Sequence, residues 1–212
     1  MPLAIQINAK PAPFGGDDLV GRFRSGQQQQ GLPRALQEWR ITSDDKEILT
    51  KVGALLGGKP AKWDTKSAEV WEVLTKAPSV DIDLEFINVN MVLWGRGNAP
   101  IRTCDMLTQK GGSPCECPSD YSERKQAGRD GVGCSPETRA IFRLTEAPDI
   151  GKFKFQSGSW GLSEKVTELE AQLADAGGTA PATLTLKQIQ YKTKTGKDVE
   201  YTLPVGKILE PV

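Results

Sequence analysis

Hydrophobic side chains recur along this chain with two periods. Over residues 80–86 the apolar Val80, Ile82, Leu84 and Phe86 alternate with Asp81, Asp83 and Glu85, the period-two pattern of a half-buried strand. Residues 139–145 place Ala140, Phe142 and Leu144 on one face, and 152–155 do the same with Phe153 and Phe155. Pro148-Asp-Ile-Gly151 supplies a turn between them. Shorter patterns predict strands over 19–24, 36–42, 69–75 and 90–94. Near the end Leu184 and Leu186 are followed by Ile189 and Tyr191 on the opposite parity, which predicts a bulge near Lys187 or Gln188. Lys194-Thr-Gly-Lys197 then turns the chain, and Val199, Tyr201 and Leu203 alternate back to close a terminal hairpin. These strands predict a meandering, mostly antiparallel sheet.

The second period is helical. Thr42-Ser-Asp-Asp45 offers a capping side chain and first-turn carboxylates, Ile48, Val52 and Leu55 follow at spacings of four and three, and Gly57-Gly58 ends the run. A second helix is expected between Trp160 and Ala176, where Leu162, Val166, Leu169 and Leu173 form a stripe closed by Gly177-Gly178. The first 35 residues are rich in Gly, Pro and Gln and read as a lead-in with one short strand, the run Gln27 to Gln30 being a loop.

Composition narrows the chemistry. The chain has 212 residues, 27 basic and 27 acidic, so it lacks the cationic excess of a protein that grips DNA through many phosphates. It contains no histidine, which removes Ser-His-Asp and Cys-His nucleophile pairs, His-ligated zinc catalysis and imidazole acid-base chemistry. The opening residues do not form a secretory signal, and no stretch approaches the roughly 18 apolar residues of a membrane span. A cytoplasmic location without membrane association is expected.

In a reducing compartment the cysteines are informative. Cys104, Cys115, Cys117 and Cys134 fall within 31 residues as C-x10-C-x-C-x16-C, in an interval of Gly, Pro, Ser and charge with few large apolar side chains. Four thiolates around a structural Zn2+ would order such a segment, because metal binding contributes on the order of 10 kcal/mol to a site absent from the unfolded chain. The spacing is not the paired C-x-x-C of zinc ribbons, so unligated thiols and a disulfide stay open. A closed four-thiolate shell leaves no position for a substrate, so the metal would be structural and a metalloenzyme is the outlying reading. Other clusters have simpler explanations: Asp81, Asp83 and Glu85 as a solvated stripe, Gly57-Gly58 and Gly95-Arg-Gly97 as turns, and Leu162 to Leu173 as a helix lying on the protein's own sheet. Trp39, Trp63, Trp71, Trp94 and Trp160 with Arg40, Arg96 and Arg102 read as core residues, or alternatively as a stacking surface for single-stranded nucleic acid.

The order of these pieces resembles the large recombination directionality factors of actinobacteriophages, which work with large serine integrases. The matching residues are Val20-Gly-Arg-Phe-Arg-Ser-Gly26, Leu32-Pro-Arg34, Trp39-Arg-Ile-Thr-Ser43, Leu56-Gly-Gly58 with Trp63, Leu93-Trp94, and Arg102-Thr-Cys-Asp105. They continue through Cys115-Glu-Cys-Pro118, Cys134, Thr138-Arg139, Gly151-Lys-Phe-Lys-Phe-Gln-Ser157 and Tyr201-Thr-Leu-Pro204. Two departures stand out: Arg102-Thr103 where two arginines are usual, and Gly158-Ser-Trp160 where a His-Gly-aromatic run is usual.

The resemblance implies a non-enzymatic regulator that binds a phage-encoded large serine integrase as an integrase-DNA complex. It would reposition the integrase coiled-coil element, favouring attL x attR excision over attP x attB integration, with little or no sequence-specific DNA binding alone. A zinc-containing accessory protein for single-stranded nucleic acid is the alternative. The expected fold is α+β: a mostly antiparallel sheet with two helices, a four-cysteine zinc-bound loop region and a C-terminal helix plus β-hairpin. Residues 1–18 form a flexible lead-in, 19–160 the core with its zinc-binding region at 104–134, and 161–212 the terminal helix and hairpin, packed on the core or standing apart.

Overall fold

In a computed structural model, described over residues 19–29, 32–65, 67–96, 99–193, 196 and 198–209, the strands and helices alternate irregularly. In chain order they are β1 (Leu19–Gln29), β2 (Leu32–Ser43), α1 (Lys46–Leu56), β3 (Ala61–Lys62), β4 (Trp71–Leu74), β5 (Ser79–Trp94) and β6 (Pro100–Cys104). Then follow α2 (Tyr121–Arg129), β7 (Ser135–Leu144), β8 (Lys152–Ser157), α3 (Trp160–Asp175), β9 (Ala180–Lys192) and β10 (Asp198–Ile208). The expected lead-in at 1–18 lies outside the described residues, as do Gln30, Gly97 and most of the turn at 194–197. No helix among the described residues is long and apolar enough to cross a membrane.

All ten strands belong to one sheet, in the order β10-β9-β5-β7-β8-β1-β2-β4-β3 with β6 added beside β5. The pairings are antiparallel except for β1 with β8, so the sheet is mixed and does not simply meander. One face carries the main core. Phe23, Trp39, Phe142, Phe153 and Phe155 are buried there, Phe23 meeting Trp39, Phe142 and Phe153 edge to face at centroid separations of 5.6, 5.1 and 5.4 Å. Such contacts add about 0.5–1.5 kcal/mol per pair to the area they bury.

Both flanking helices pack on this face. Asp45 caps α1 by accepting from the Glu47 backbone N–H, and Leu49 and Val52 enter the core. The chain leaves α1 through Gly57 and Gly58 at positive φ; a Cβ on Gly58 would stand 2.2 Å from the Leu74 carbonyl oxygen, so only glycine fits. Ser159 caps α3, which buries Leu162, Val166, Leu169 and Leu173 as the leucine stripe predicts.

Other departures from the sequence pattern occur in the sheet and beside it. Residues 80–86 and 90–94 form one strand, β5, with a bulge at Glu85: Leu84 pairs with Phe142 but Phe86 with Ile141. The extra residue reverses parity, so Ile87, Val89 and Met91 are buried and Phe86 is only half-buried. The bulged Glu85 is held by Arg143 at 2.9 Å and Lys152 at 3.1 Å. Gln27, Gln28 and Gln29 are not a loop, because their backbones pair with Arg34, Pro33 and Leu32, and this ladder needs nothing from their side chains. No bulge occurs near Lys187 or Gln188; β9 and β10 pair without a shift from Ala182 to Lys192. Only residues 180–185 of β9 also pair with β5, so the outer ribbon has no buried face to maintain and its apolar residues change sides freely. Finally, α2 is a third helix, inside the cysteine-bearing segment, where no apolar stripe announces it.

The bulge predicts an inverted pair of substitutions. Ile87→Ala should cost about 2–5 kcal/mol in urea unfolding, and Phe86→Ala less despite its larger side chain. A larger loss from Phe86→Ala would restore the uninterrupted alternation.

Candidate metal centre

β5 gathers the cysteines. Cys104, at the end of β6, pairs with Met91, and Ser135, at the start of β7, pairs with Val92 on the other edge of β5. Cys104 and Cys134 are thus fixed at one end of three adjacent strands. The chain returns between them through backbone bonds from Lys110 N–H to the Thr103 carbonyl at 2.8 Å and from Cys115 N–H to the Leu107 carbonyl at 2.8 Å. These bring Cys115 and Cys117 back over Cys104.

Three sulfurs converge. The Sγ atoms of Cys104, Cys117 and Cys134, all buried, lie within 4.8 Å of one another, close enough to share one metal ion. Cys115 is half-buried, its Sγ 3.3 Å from that of Cys104, and all four are free thiols without a disulfide. With Met91 they form a second core, separate from the aromatic one, against which Leu93, Met106 and Trp160 pack.

The surroundings favour a negative sulfur at Cys134 and a neutral one at Cys104 and Cys117. Backbone N–H groups of Cys117 and Cys134 donate to the sulfurs of Cys115 and Cys117, both at 3.4 Å. The Arg102 guanidinium points at Cys117 Sγ at 3.6 Å and pairs with Glu116. The Cys134 thiol is pulled down to about 5, first because the Cys104 thiol donates to it and then, against the opposing effect of burial, by Arg102 and Cys117. The donating Cys104 thiol is correspondingly pushed up, and burial raises that of Cys117. The Cys134 thiolate, stabilised by the Cys104 thiol and the Arg102 guanidinium, is the form that binds soft metal ions.

Two arginines act here that cysteine counting does not find. Arg102 stands two residues before Cys104 on the same face of β6; in the sequence it belongs to the Arg102-Thr-Cys-Asp105 motif, which does not mark it as a partner of the sulfurs. Arg124 of α2 is buried and ties the two cysteine loops together, donating to the Pro118 carbonyl at 2.7 Å and the Met106 carbonyl at 3.1 Å. Met106 itself has φ of 79°, a left-handed conformation that costs about 1–3 kcal/mol in a non-glycine residue and persists only where neighbours enforce it. Asp120 caps α2, and Tyr121 meets Trp160 edge to face at 5.8 Å while bonding to Glu164, which seats the helix on α3.

The other singled-out residues are not brought together. Asp81 and Asp83 accept from Thr183 and Thr145, and Glu85 belongs to the bulge. Trp39 is fully buried in the aromatic core. Trp63 is covered by Arg40 and bonds to the Glu69 carbonyl, Trp71 lies under Lys46 and Lys62, and Trp160 packs by the cysteines. Trp94 alone among the five is strongly exposed, at 43%.

Arg124→Ala should remove two charge-assisted bonds to carbonyls and cost about 3 kcal/mol, with faster proteolysis within 104–134 than in the wild-type chain. Unchanged stability and cleavage would show that Arg124 does not hold the loops.

No solved structure matches this chain. The family model described as Gp3-like, recombination directionality factor-like, matches residues 20–208. The match runs from β1 to the end of β10 and takes in all four cysteines. The chain therefore belongs to the Gp3-like, recombination directionality factor-like family.

Proposed function

We propose that this protein is a phage recombination directionality factor that binds a large serine integrase on its DNA, and that Cys104, Cys115, Cys117 and Cys134 hold a structural Zn2+. The observation that carries the first part is the family match from residue 20 to 208. The factor acts in the cytoplasm of the bacterial host without a catalytic step of its own. By docking on DNA-bound integrase it repositions the integrase coiled-coil element, so that attL x attR excision replaces attP x attB integration. A 100-fold bias between the two outcomes needs about 2.7 kcal/mol of differential affinity for one arrangement of the integrase over the other. A modest interface supplies that.

The zinc assignment is supported by the convergence of three buried sulfurs and by the nearness of the fourth. Sulfurs around a tetrahedral Zn2+ at about 2.3 Å stand about 3.8 Å apart, so the three clustered sulfurs are near metal spacing, and Cys115, beside Cys104 but outside the cluster, would turn inward to complete the shell. Arg102 and the two N–H donors would offset the charge that four thiolates bring. The ion would supply folding energy and no reactive position.

Two measurements test these readings. In a purified recombination assay with candidate integrases, the chain should raise attL x attR product and suppress attP x attB product; an integrase panel with both reactions unaffected overturns the directionality reading. Metal analysis should find one zinc per chain, cobalt substitution should give a tetrahedral thiolate spectrum, and Cys117→Ser should lower the melting temperature by roughly 10 °C or more. A metal-free chain, purified with zinc present and with four thiols that react readily while folded, would overturn the zinc assignment.

A further inference from the structure

We propose that the sheet face opposite α1 and α3, around Arg22, Arg24, Arg40 and Lys154, is a seat for the phosphodiester backbone of duplex DNA. These four residues alternate with Phe23, Trp39, Ile41, Phe153 and Phe155 of the aromatic core, so β1, β2 and β8 point them away from it. Arg22 and Arg24 share one carboxylate, Glu69, at 2.7 and 3.0 Å, and Arg40 pairs with Glu72 at 2.6 Å. Lys154 has no ion pair of its own among the described residues, and its ammonium is pushed below the usual lysine range, first by burial and then by Arg22. Arg34 and Arg139, the latter paired with Glu137, add two cations to this surface, and Asp64 and Glu137 add two carboxylates, so among the described residues six cations against four carboxylates leave an excess of two positive charges.

The space matches this charge. Three cavities meet at Arg24. One of about 180 Å³ is lined by Arg22, Arg24, Lys154 and Gln156, and one of about 1120 Å³ continues past Arg34 and Arg40. The third, of about 460 Å³, reaches Gln156, Ser157, Trp94 and Glu137, whose carboxylate is paired with Arg139. The largest is bordered by the hydroxyl and amide groups of Ser25, Gln27, Gln28, Ser157, Ser159 and Thr202, with the Asp64 carboxylate at its edge. Phosphate oxygens take hydrogen bonds from such groups together with Arg and Lys.

Other occupants fit less well. A protein partner needs apolar anchors at the centre of its interface. Here the apolar lining of the largest cavity is Ala35, Pro204 and Trp63, whose ring is already covered by Arg40 at 4.2 Å. A single strand needs successive aromatic platforms, and among the described residues only Trp94 at the rim offers one. Two excess charges neutralise about two phosphates, too few for stable binding to naked DNA at physiological salt. On an integrase-DNA complex the high local concentration makes so weak a contact effective. Only the identity of that DNA rests on the directionality reading; the chemistry of the seat rests on its own residues.

The test omits integrase. Fluorescence anisotropy of the full chain with a labelled random-sequence duplex of about 20 base pairs should detect binding at ~20 mM salt that weakens roughly 60-fold by ~200 mM, a slope near −1.8. Lys154→Gln, which breaks no ion pair, should weaken binding about fivefold or more and reduce the slope by about one. Ser25→Glu, which adds a negative charge between two of the cavities, should weaken it at least as much, with thermal melts confirming that each variant is folded. The proposal is overturned by no binding at low salt, by a folded Lys154→Gln or Ser25→Glu chain with wild-type affinity, or by a single strand of equal length binding more tightly. Polyglutamate that displaces the duplex as well as unlabelled duplex does, charge for charge, would assign the face to an acidic protein instead. A chain that binds duplex yet leaves recombination direction unchanged overturns the directionality reading and leaves this one standing.

Discussion

Two buried cores share one strand. β5 contributes Val80, Ile82, Leu84, Ile87 and Val89 to the aromatic core and Met91 to the cysteine cluster. Its edge opposite β7 is divided, β9 pairing with residues 79–84 and β6 with 91–94. The bulge at Glu85 falls in the gap between them. A strand of strict alternation would carry Phe86 inward and Ile87, Val89 and Met91 outward, leaving the cysteine end without its hydrophobic floor. The carboxylate of Glu85, held between Arg143 and Lys152, keeps that extra residue at the surface.

The cysteine segment needs a different kind of cohesion. Between Cys104 and Cys134 the exposed side chains include Leu107 and Val132, and the helix there is strongly polar. Its buried contacts are sulfurs, the Arg124 guanidinium and backbone groups, so hydrophobic burial alone does not fix its shape. Arg102 and the N–H donors around the sulfurs stabilise charge in a place where an isolated thiolate would be costly. This division between an aromatic core and a sulfur core also separates two surfaces, the cysteine-bearing end and the cationic sheet face.

Legibility followed the source of cohesion. Phe142, Phe153, Phe155 and the leucine stripe of α3 were readable because burial against one face imposes a period on the sequence. Backbone pairing imposes none, so the strand through Gln27, Gln28 and Gln29 and the parallel neighbours β1 and β8 left no trace. The bulge was hidden because Val80 to Phe86 satisfies a clean alternation until the next residues are placed. Helix α2 is fixed by Arg124 and Tyr121, which contact residues outside the helix, and by the Asp120 cap on the Glu123 N–H, which is its one local signal. The cysteines were conspicuous by type and spacing, whereas the role of Arg102 depends on where β6 lies against Cys117.

On the proposed function, this molecule reads integrase arrangement, acting through a difference in affinity and not through chemistry. The most direct measurement is therefore its dissociation constant for integrase assembled on attL and attR against integrase assembled on attP and attB, at equal salt and protein concentration. Binding that is tighter to the first by about 100-fold matches a bias of about 2.7 kcal/mol. Equal constants for the two assemblies would contradict the proposal, because a ligand that does not distinguish two states cannot shift the balance between them.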